Sequence, residues 1–276
     1  MKIFVTYSNE TYKKTRDFCA MMAKKRGGFD KVIVYDNNDI DEDFKKKNEK
    51  ILNQKRGAGL WLWKPYIIYK AIMEVASEGD YVFYADAGSF FIRDASMIIN
   101  TIDDSDIWVS DIPLVEKQFT KPSAFKSMGC DNEKIKNSRQ IQGNFFCIKK
   151  SSKSIKFAKE WLDFCSDYSI ISSDCHEDNL EPLFVDHRFD QSILSLLSKK
   201  HGIKPHLDPS QYGRFPKKYK QRKNWLFYDI KRDWEYPTCI ILHRTRDVNK
   251  WICFKQILSI LLPYKLVTIL SKNYYE

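Results

Sequence analysis

One stretch of the sequence, residues 80–88, constrains the fold more than any other. Residues 81–84 are apolar or aromatic, and they run through Ala85 into a carboxylate, Asp86, followed by Ala87 and Gly88. A continuous apolar run is typical of a strand that is buried on both faces. In open α/β sheets, ligands bind beyond the carboxyl ends of the strands, and Gly88 allows a close approach to the backbone. The stretch therefore predicts a buried strand that delivers one acid to the cleft of an enzyme acting on a charged substrate.

The patterns on either side of this strand predict an α/β fold. Helices are predicted at residues 9–25, at 44–53, from Pro65 onward, at 152–167 and at 189–200, with an acidic loop at 36–43. Strands are predicted at residues 2–7, 31–35, 81–85, 107–110, 144–148 and 238–242. Strands that alternate with helices are typical of a mainly parallel, Rossmann-like sheet with helices on both faces. We see no repeat and no linker.

Composition limits the setting and the partners. The seven cysteines are scattered without a Cys-x-x-Cys pair, which favours structural thiols in a reducing compartment over disulfides. The sequence shows no signal peptide and no apolar run long enough to span a membrane, so we expect a cytoplasmic protein. A net charge of +10 predicts anionic partners. Nucleotide phosphates, an anionic membrane and nucleic acid are all compatible with that charge.

Two further blocks carry chemistry. Residues 56–65, Arg-Gly-Ala-Gly-Leu-Trp-Leu-Trp-Lys-Pro, predict a flexible loop with a flat apolar wall and one cation; the alternative is a core-packing turn. Residues 242–251 place His243, two arginines and a lysine after an apolar strand, which suits a pyrophosphate and its metal. Taken alone, His243 would more often be structural.

The basic and aromatic residues 212–234 suit stacking on nucleic-acid bases, but we favour a surface loop near an anionic ligand.

Together these blocks resemble the GT-A glycosyltransferases, and among them the bacterial capsule and lipopolysaccharide sugar transferases that carry Gly-x-Gly-x-Trp-x-Trp-Lys-Pro before an Asp-Ala-Gly strand end. The resemblance covers residues 2–251 and implies a single GT-A domain over residues 1–251. It implies a hexosyltransferase that takes a hexose from a nucleotide diphosphate sugar, most simply a UDP-sugar, to a growing cell-surface glycan or lipid-linked oligosaccharide. A non-catalytic protein that binds a nucleotide sugar or a glycan is the alternative, and nucleic acid is not expected as a partner.

The resemblance also assigns residues. Asp86 matches the first acid of the Asp-x-Asp motif, while Gly88 replaces the second, so a divalent metal (Mn²⁺ or Mg²⁺) on Asp86 and His243 competes with a site that uses cations alone. The donor would be bound by Tyr7, Trp63, Lys64, Asp86, Gly88, Arg244, Arg246 and Lys250. The sugar and the acceptor would be bound by Gln142, Gly143, Asn144, His187, Arg188 and Gln191.

Asp190 is the expected catalytic carboxylate. It heads a predicted helix, where the helix dipole favours an ionised acid. In an inverting reaction it would take the proton of the acceptor hydroxyl; in a retaining reaction it would stabilise or orient the positive sugar. The structural alternative is a helix N-cap.

The last 25 residues, 252–276, form an amphipathic extension that Pro263 divides. One interpretation is a helix packed on the domain. The other is a pair of interfacial helices that holds the enzyme on the inner face of an anionic membrane.

Overall fold

The computed structural model describes residues 1–174, 183–219, 224–228 and 235–262. Within these ranges the strands are β1 (Lys2–Tyr7), β2 (Lys31–Tyr35), β3 (Tyr81–Ala85), β4 (Ser89–Phe91), β5 (Ile107–Trp108), β6 (Asp111–Val115), β7 (Arg139–Ile141), β8 (Phe145–Lys149) and β9 (Ile240–Leu242). The central sheet has the order β2-β1-β3-β8-β5. Strand β1 pairs in parallel with β2 and β3, and β8 is antiparallel to β3 and β5. Four of the five strands therefore run in one direction, which confirms the mainly parallel sheet.

Helices cover both faces of this sheet. They are α1 (Lys13–Arg26), α2 (Glu42–Lys47), α3 (Glu49–Leu52), α4 (Gly57–Leu60), α5 (Trp63–Glu74), α6 (Ser96–Ile99), α7 (Glu116–Phe119), α8 (Pro122–Ser127), α9 (Glu133–Lys136), α10 (Ser152–Cys165), α11 (Tyr168–Ile171), α12 (Phe189–Lys200), α13 (Gln211–Arg214) and α14 (Lys250–Leu261). None of the helices in the described ranges combines the length and the apolar content that crossing a bilayer would require.

The alternation of side chains along the strands explains their continuous apolar character. On β3, Val82 and Tyr84 belong to the apolar cluster that contains α5, α10 and α12. Phe83, between them, belongs to the cluster on the opposite face, with Cys19 and Ala23 of α1. Because helices pack on both faces, every position of the strand is apolar. The α/β class is confirmed.

Several helix bounds differ from their predictions. The helix expected over residues 9–25 begins at Lys13, after a 3₁₀ turn at Glu10–Tyr12, and the helix expected over residues 152–167 ends at Cys165. The helix expected over residues 44–53 is divided at Asn48, whose backbone is not helical and whose side-chain amide donates to the Phe44 carbonyl at 3.0 Å. Such local bonds by asparagine compete with the helical pattern. Helix α5 begins at Trp63 rather than at Pro65. Proline is tolerated there because the first four N–H groups of a helix have no partner within it.

Short strands account for the remaining differences. Strands β4 and β7, of three residues each, are too short to show periodicity, and β6 contains Pro113, which is unfavourable in a central strand; none of the three was predicted. Strand β4 pairs with β9 in a separate two-stranded sheet, and β6 pairs with β7 in another. The strand predicted at residues 107–110 forms ladder pairs only at Ile107 and Trp108. Cys175, one of the seven cysteines, lies outside the described ranges, as do residues 263–276, including Pro263.

The sheet brings three chain segments to one edge. Parallel pairing of β1 and β3 places Ser8 and Asp86 beyond the ends of neighbouring strands. The β4–β9 pairing brings residue 243 to the same edge, where the backbone N–H of His243 donates to the Gly88 carbonyl at 2.8 Å. The carboxyl end of β3 is therefore the place where the predicted motifs meet.

Candidate active site

A left-handed turn precedes α5 and shapes the site. All five residues from 57 to 61 have positive φ: 61° at Gly57, 51° at Ala58, 98° at Gly59, 53° at Leu60 and 61° at Trp61. Each non-glycine residue in this region costs about 1–2 kcal/mol. Strain of this kind persists only where the surroundings over-determine the backbone. The pattern of glycines and tryptophans in residues 56–65 is therefore a strained turn.

The glycines of this turn allow its tryptophans to pack. A Cβ atom at Gly57 would lie 2.1 Å from the ring of Trp61. The Gly57 carbonyl accepts a hydrogen bond from the indole N–H of Trp63 at 2.9 Å, and Trp63 stacks on Tyr7 at 4.0 Å between ring centroids. The turn thus fixes a flat aromatic wall beside the end of β1.

Lys64 lies at the centre of the site. Its side chain is buried. Its ammonium lies 3.0 Å from an Asp190 oxygen and 3.3 Å from Asp86 Oδ1. The ammonium also donates a hydrogen bond to the Gly143 carbonyl at 2.9 Å. Burial lowers the pKa of Lys64, but Asp190 and Asp86 together raise it above its usual value. A buried, charged lysine therefore joins the end of β3 to the start of α12.

The two aspartates beside Lys64 differ in exposure. Asp86 faces solvent in part, and its Oδ1 accepts a hydrogen bond from the Tyr84 hydroxyl at 2.6 Å. Asp190 is buried, and burial raises its pKa to about 6 against the opposing effect of Lys64. Asp190 is the second residue of α12, whose N-cap is Arg188, so the N-cap interpretation of Asp190 is wrong.

Two cavities meet at Asp86 and Trp61. The first, of about 370 Å³, is lined by the aromatic wall and by the segment after β1; its residues include Tyr7, Ser8, Asn9, Tyr12, Lys55, Trp61, Trp63, Asp86 and Gly88. The second, of about 240 Å³, is lined by Arg56, Trp61, Lys64, Asp86, Asn144, Asp186, Arg188, Phe189, Asp190 and Gln191. The aspartate predicted from the strand end therefore lies in the wall of both cavities.

Sequence reasoning missed several lining residues. Ser8 and Asn9 follow β1, and the Ser8 hydroxyl and the Asn9 amide oxygen are buried without a hydrogen-bond partner in the described part of the chain. Buried polar atoms are normally paired, so these two atoms mark a place where a polar ligand fits. The signal was available, because residues that follow a strand at the carboxyl edge of a sheet reach the ligand.

The structure brings part of the predicted sugar site together. Asn144, Arg188, Asp190 and Gln191 line the second cavity. A Cβ atom at Gly143 would lie 3.1 Å from that of Gln191, so glycine lets the chain after β7 approach α12 closely.

Two other residues predicted for the sugar site lie behind the cavity wall. Gln142 is buried and donates to the Ser110 hydroxyl at 2.6 Å. His187 is fully buried, and burial lowers its pKa to about 3; its Nδ1 accepts from the Lys121 N–H at 3.3 Å.

The cationic segment after β9 lies at the rim. Arg244, Arg246 and Lys250 are exposed, and none lines either cavity. The Arg244 N–H donates to the Gly88 carbonyl at 3.1 Å, and its guanidinium lies 4.9 Å from the centre of the Tyr212 ring. A Cβ atom at Gly88 would lie 3.4 Å from the Arg244 backbone. The backbone of this segment therefore packs on the end of β3 at Gly88, and its charged side chains are exposed to solvent.

Asp86 and His243 offer a carboxylate and an imidazole, which are ligand types that suit a divalent cation, although His243 lines neither cavity. Burial lowers the pKa of His243 to about 4, so the ring is neutral, and its Nδ1 is hydrogen-bonded to the Thr245 hydroxyl at 2.7 Å. Its Nε2 is buried and has no partner among the described residues. A ring oriented through one nitrogen is typical of a metal ligand. The described ranges contain no cluster of three ligating side chains, so phosphate oxygens would have to complete the coordination.

Comparisons with known proteins give only distant similarity. No protein-family model matches the sequence, and neither does any curated protein. The galactosyltransferase LgtC, solved with donor and acceptor sugar analogues, is 14% identical (89% of this chain and 87% of that chain covered, TM-score 0.49). The glycosyltransferase GlyE of Streptococcus pneumoniae is 13% identical (99% and 64%, TM-score 0.45), and mouse xyloside xylosyltransferase 1 is 8% identical (90% and 100%, TM-score 0.46). These similar structures are glycosyltransferases, but at TM-scores below 0.5 the function rests on the site's own geometry.

Proposed function

We propose that this protein is a glycosyltransferase that moves a hexose from a nucleotide diphosphate sugar, a UDP-sugar, to a growing cell-surface glycan. One observation carries the proposal: a buried lysine lies between a strand-end aspartate and a helix aspartate of raised pKa, at the junction of an aromatic cavity and a polar one. Aromatic walls suit a nucleobase, and paired carboxylates suit a sugar and its reacting hydroxyl.

The first cavity takes the nucleotide in this proposal. Tyr7 and Trp63 supply a flat surface for a base. The unpartnered hydroxyl of Ser8 and amide oxygen of Asn9 supply a donor and two acceptors for its edge. Uracil has one N–H donor between two carbonyl acceptors, so it can satisfy both residues, which supports a UDP-linked donor. Lys55 lines the same cavity and can reach a phosphate.

The second cavity takes the transferred sugar and the acceptor hydroxyl. Cleavage of the glycosyl bond builds negative charge on the departing diphosphate, so cations must lie nearby. Arg244 is held beside the strand end by its backbone contact with Gly88, and in this proposal Arg244, Arg246 and Lys250 hold that charge. A divalent metal on Asp86 and His243 would supply further positive charge to the diphosphate. Lys64 keeps Asp86 and Asp190 in fixed positions by its contacts to both.

Asp190 is the proposed catalytic carboxylate. With a pKa of about 6 it is ionised at neutral pH and close enough to neutrality to accept a proton. In an inverting transfer it takes the proton of the acceptor hydroxyl; in a retaining transfer it stabilises the positive sugar.

Nucleotide binding and turnover test this proposal. UDP with Mn²⁺ should raise the melting temperature of the protein by binding the folded state, and UDP-hexoses should release UDP. Replacing Asp86 with asparagine, which keeps the shape of the side chain, should abolish release without unfolding the protein. Stabilisation by nucleotide sugars without any turnover would favour the non-catalytic alternative. No stabilisation by any nucleotide diphosphate would contradict the proposal.

We also propose that α14 contacts an anionic membrane surface. Its inner face packs through Cys253 and Ile260 on the cluster that contains Phe90 and Ile241. Its outer face exposes a stripe of four large apolar side chains, at the spacing of one helix face: Trp251, Phe254, Leu258 and Leu261. Lysines lie beside the stripe, and the chain carries a net charge of +10. An apolar stripe with flanking lysines is typical of interfacial helices.

A further inference from the structure

Arg188 differs from the other cations of the second cavity. Lys64 is paired with Asp86 and Asp190, and Arg56 lies 3.3 Å from Asp186. Within the described part of the chain, the Arg188 guanidinium has no carboxylate within 4.0 Å, although it is mostly buried. Burial lowers the pKa of Arg188 to about 10, so it is still charged at neutral pH. The cavity therefore offers one positive charge that no carboxylate of the described residues pairs directly.

The Arg188 side chain is held in place by neutral groups. Its guanidinium lies 3.8 Å from the centre of the Phe119 ring and 5.7 Å from that of Trp225. One of its N–H groups donates to the Gln140 side-chain oxygen at 3.1 Å. Stacking on aromatic rings and a single neutral acceptor orient the fork of an arginine without neutralising it. Such an arginine is prepared to bind a carboxylate or a phosphate.

Gln140 fixes Arg188 and Gln191 together. Its side-chain oxygen also accepts from the Gln191 amide at 3.0 Å, and its nitrogen donates to Glu116 Oε1 at 3.2 Å and to the Phe119 carbonyl at 3.3 Å. Gln140 is fully buried and lines neither cavity.

Glu116 anchors this amide from behind. It is fully buried and accepts hydrogen bonds from Thr120, Ser195 and Lys199. These hydrogen bonds fix the Gln140 amide in one orientation. Its oxygen then holds the side chains of Arg188 and Gln191, which line the second cavity.

We propose that the acceptor carries an anionic group, the carboxylate of an acidic sugar or a phosphate ester, which Arg188 binds, and that Gln140 is its positioning residue. This inference rests on the proposed function, since it assigns the second cavity to the acceptor. Arg188 does not line the first cavity, where the nucleotide is placed. An acidic acceptor would pair the guanidinium bidentately, which is the strongest hydrogen-bonded contact an arginine makes.

Binding of matched ligands tests the proposal without requiring turnover. 4-Nitrophenyl β-glucuronide and β-glucoside differ only in carrying a carboxylate or a hydroxymethyl group, and the glucoside 6-phosphate provides the phosphate arm. Ligand-observed NMR titrations in the presence of UDP and Mg²⁺, which is diamagnetic, would give each Kd. We expect wild-type protein to prefer the glucuronide or the 6-phosphate over the glucoside by about tenfold or more. The preferred ligand tells which of the two anions is recognised.

Variants separate recognition from folding. Arg188→Met should remove the preference, Arg188→Lys should restore part of it, and Gln140→Leu should reduce it. Thr120→Val is the matched control, because Thr120 donates to the same Glu116 oxygen at 2.5 Å without touching Arg188 or Gln191. It should keep the full preference.

Three results would overturn the inference: equal affinities for charged and neutral ligands in the wild type, binding of none of the three, or loss of UDP affinity in Arg188→Met with an unchanged preference. The last result would assign Arg188 to the donor diphosphate. Failure of the protein to turn over any nucleotide sugar would contradict the proposed function instead, and would leave the measured preference standing.

Discussion

A lysine buried between two aspartates sets the chemistry of this site at the scale of single residues. Removing a charge from water is costly, and Lys64 remains ionised because both carboxylates lie within 3.3 Å. Its ammonium bridges the strand-end acid and the helix acid, so one buried cation fixes the positions of both carboxylates at the cavity wall.

Replacement of Lys64 with methionine should damage both stability and transfer. Methionine keeps the length of the side chain but leaves Asp86 and the buried Asp190 without their shared cation. Breaking a buried pair in this way costs about 3–5 kcal/mol. Urea unfolding of Lys64→Met and of Lys64→Arg, which keeps the charge, would measure it. If Lys64→Met is as stable as the wild type, the lysine is not the partner that the two acids require.

Asp190→Asn should separate stability from activity. Burial raises the pKa of the Asp190 carboxyl from 3.8 to about 6, so the folded protein binds more protons than the unfolded chain between these values. The carboxyl's contribution to the free energy of unfolding therefore falls as pH rises from 3.8 to about 6. Asparagine does not ionise, so the variant does not carry the free-energy cost of a buried charge at position 190. Asparagine also removes one of the two carboxylates that pair with Lys64, so the diagnostic quantity is the pH dependence. We expect the stability of Asp190→Asn relative to the wild type to increase from about pH 4 to pH 7, with transfer reduced about 10²–10⁴-fold.

The pH profiles of stability and transfer check this prediction. Thermal unfolding of the two proteins should give a difference that grows in favour of the variant between pH 4 and pH 7. Wild-type transfer should rise through about pH 6 as Asp190 ionises. A stability difference that does not change with pH would show that Asp190 has an ordinary pKa.

At the scale of elements, the left-handed turn of residues 57–61 provides a matched pair of substitutions. Gly57→Ala places a Cβ atom 2.1 Å from the Trp61 ring at a φ of 61°, so we expect a loss of stability and of nucleotide affinity. Ala58→Gly removes a side chain from a residue with φ of 51° that is exposed, so we expect a gain of up to about 1 kcal/mol. Denaturant unfolding would measure both. Opposite signs are expected; equal losses would mean that the turn is not left-handed in solution.

Helix α14 carries the prediction on membrane contact. Replacing the exposed Trp251, Phe254 and Leu258 with serine or glutamine should abolish co-sedimentation with vesicles that contain anionic lipid, while the inner-face residues preserve the packing on the domain. Vesicles of neutral lipid are the control, since flanking lysines contribute attraction only to anionic surfaces. Unchanged binding of the variant would locate the contact elsewhere, and no binding by the wild type would exclude it.

At the scale of the whole molecule, the order of strands decides which segments meet. Strand β9 lies more than 140 residues after β4 in the chain, yet pairing between them brings His243 and Arg244 to the carbonyl of Gly88. The aromatic wall comes from the end of β1 and the turn of residues 57–63, and the helix acid comes from α12. A site of this kind depends on the sheet being complete.

The proposed metal site also depends on tertiary structure, because its two proposed ligands, Asp86 and His243, follow strands β3 and β9, which are distant in sequence. We expect Mn²⁺ to increase the melting temperature more in the presence of UDP than alone, since the protein offers Asp86 and His243 and the diphosphate must complete the coordination. His243→Ala should reduce this extra shift, and a thermal-shift titration would measure it. An equal effect of Mn²⁺ with and without UDP would contradict a shared metal.

Much of the framework was determined by the sequence itself. The predicted bounds of β1, β2, β3 and α12 are the observed ones. Such strands and long amphipathic helices show a recognisable hydrophobic pattern over consecutive residues. Lys64, Asp86 and Asp190 were also predicted as site residues, the two carboxylates from their positions at a strand end and a helix start, and the structure brings the three side chains into contact.

Only the tertiary structure decided how these residues act. The contacts of Lys64 with both aspartates and of Arg188 with Gln140 join residues that are 22 to 126 positions apart. The unpartnered atoms of Ser8 and Asn9 are recognisable only in the folded chain. Local sequence encodes backbone conformation through short-range sterics and periodic burial. Charge pairing and pKa depend on distances and on exclusion of water, which exist only after distant segments have packed together.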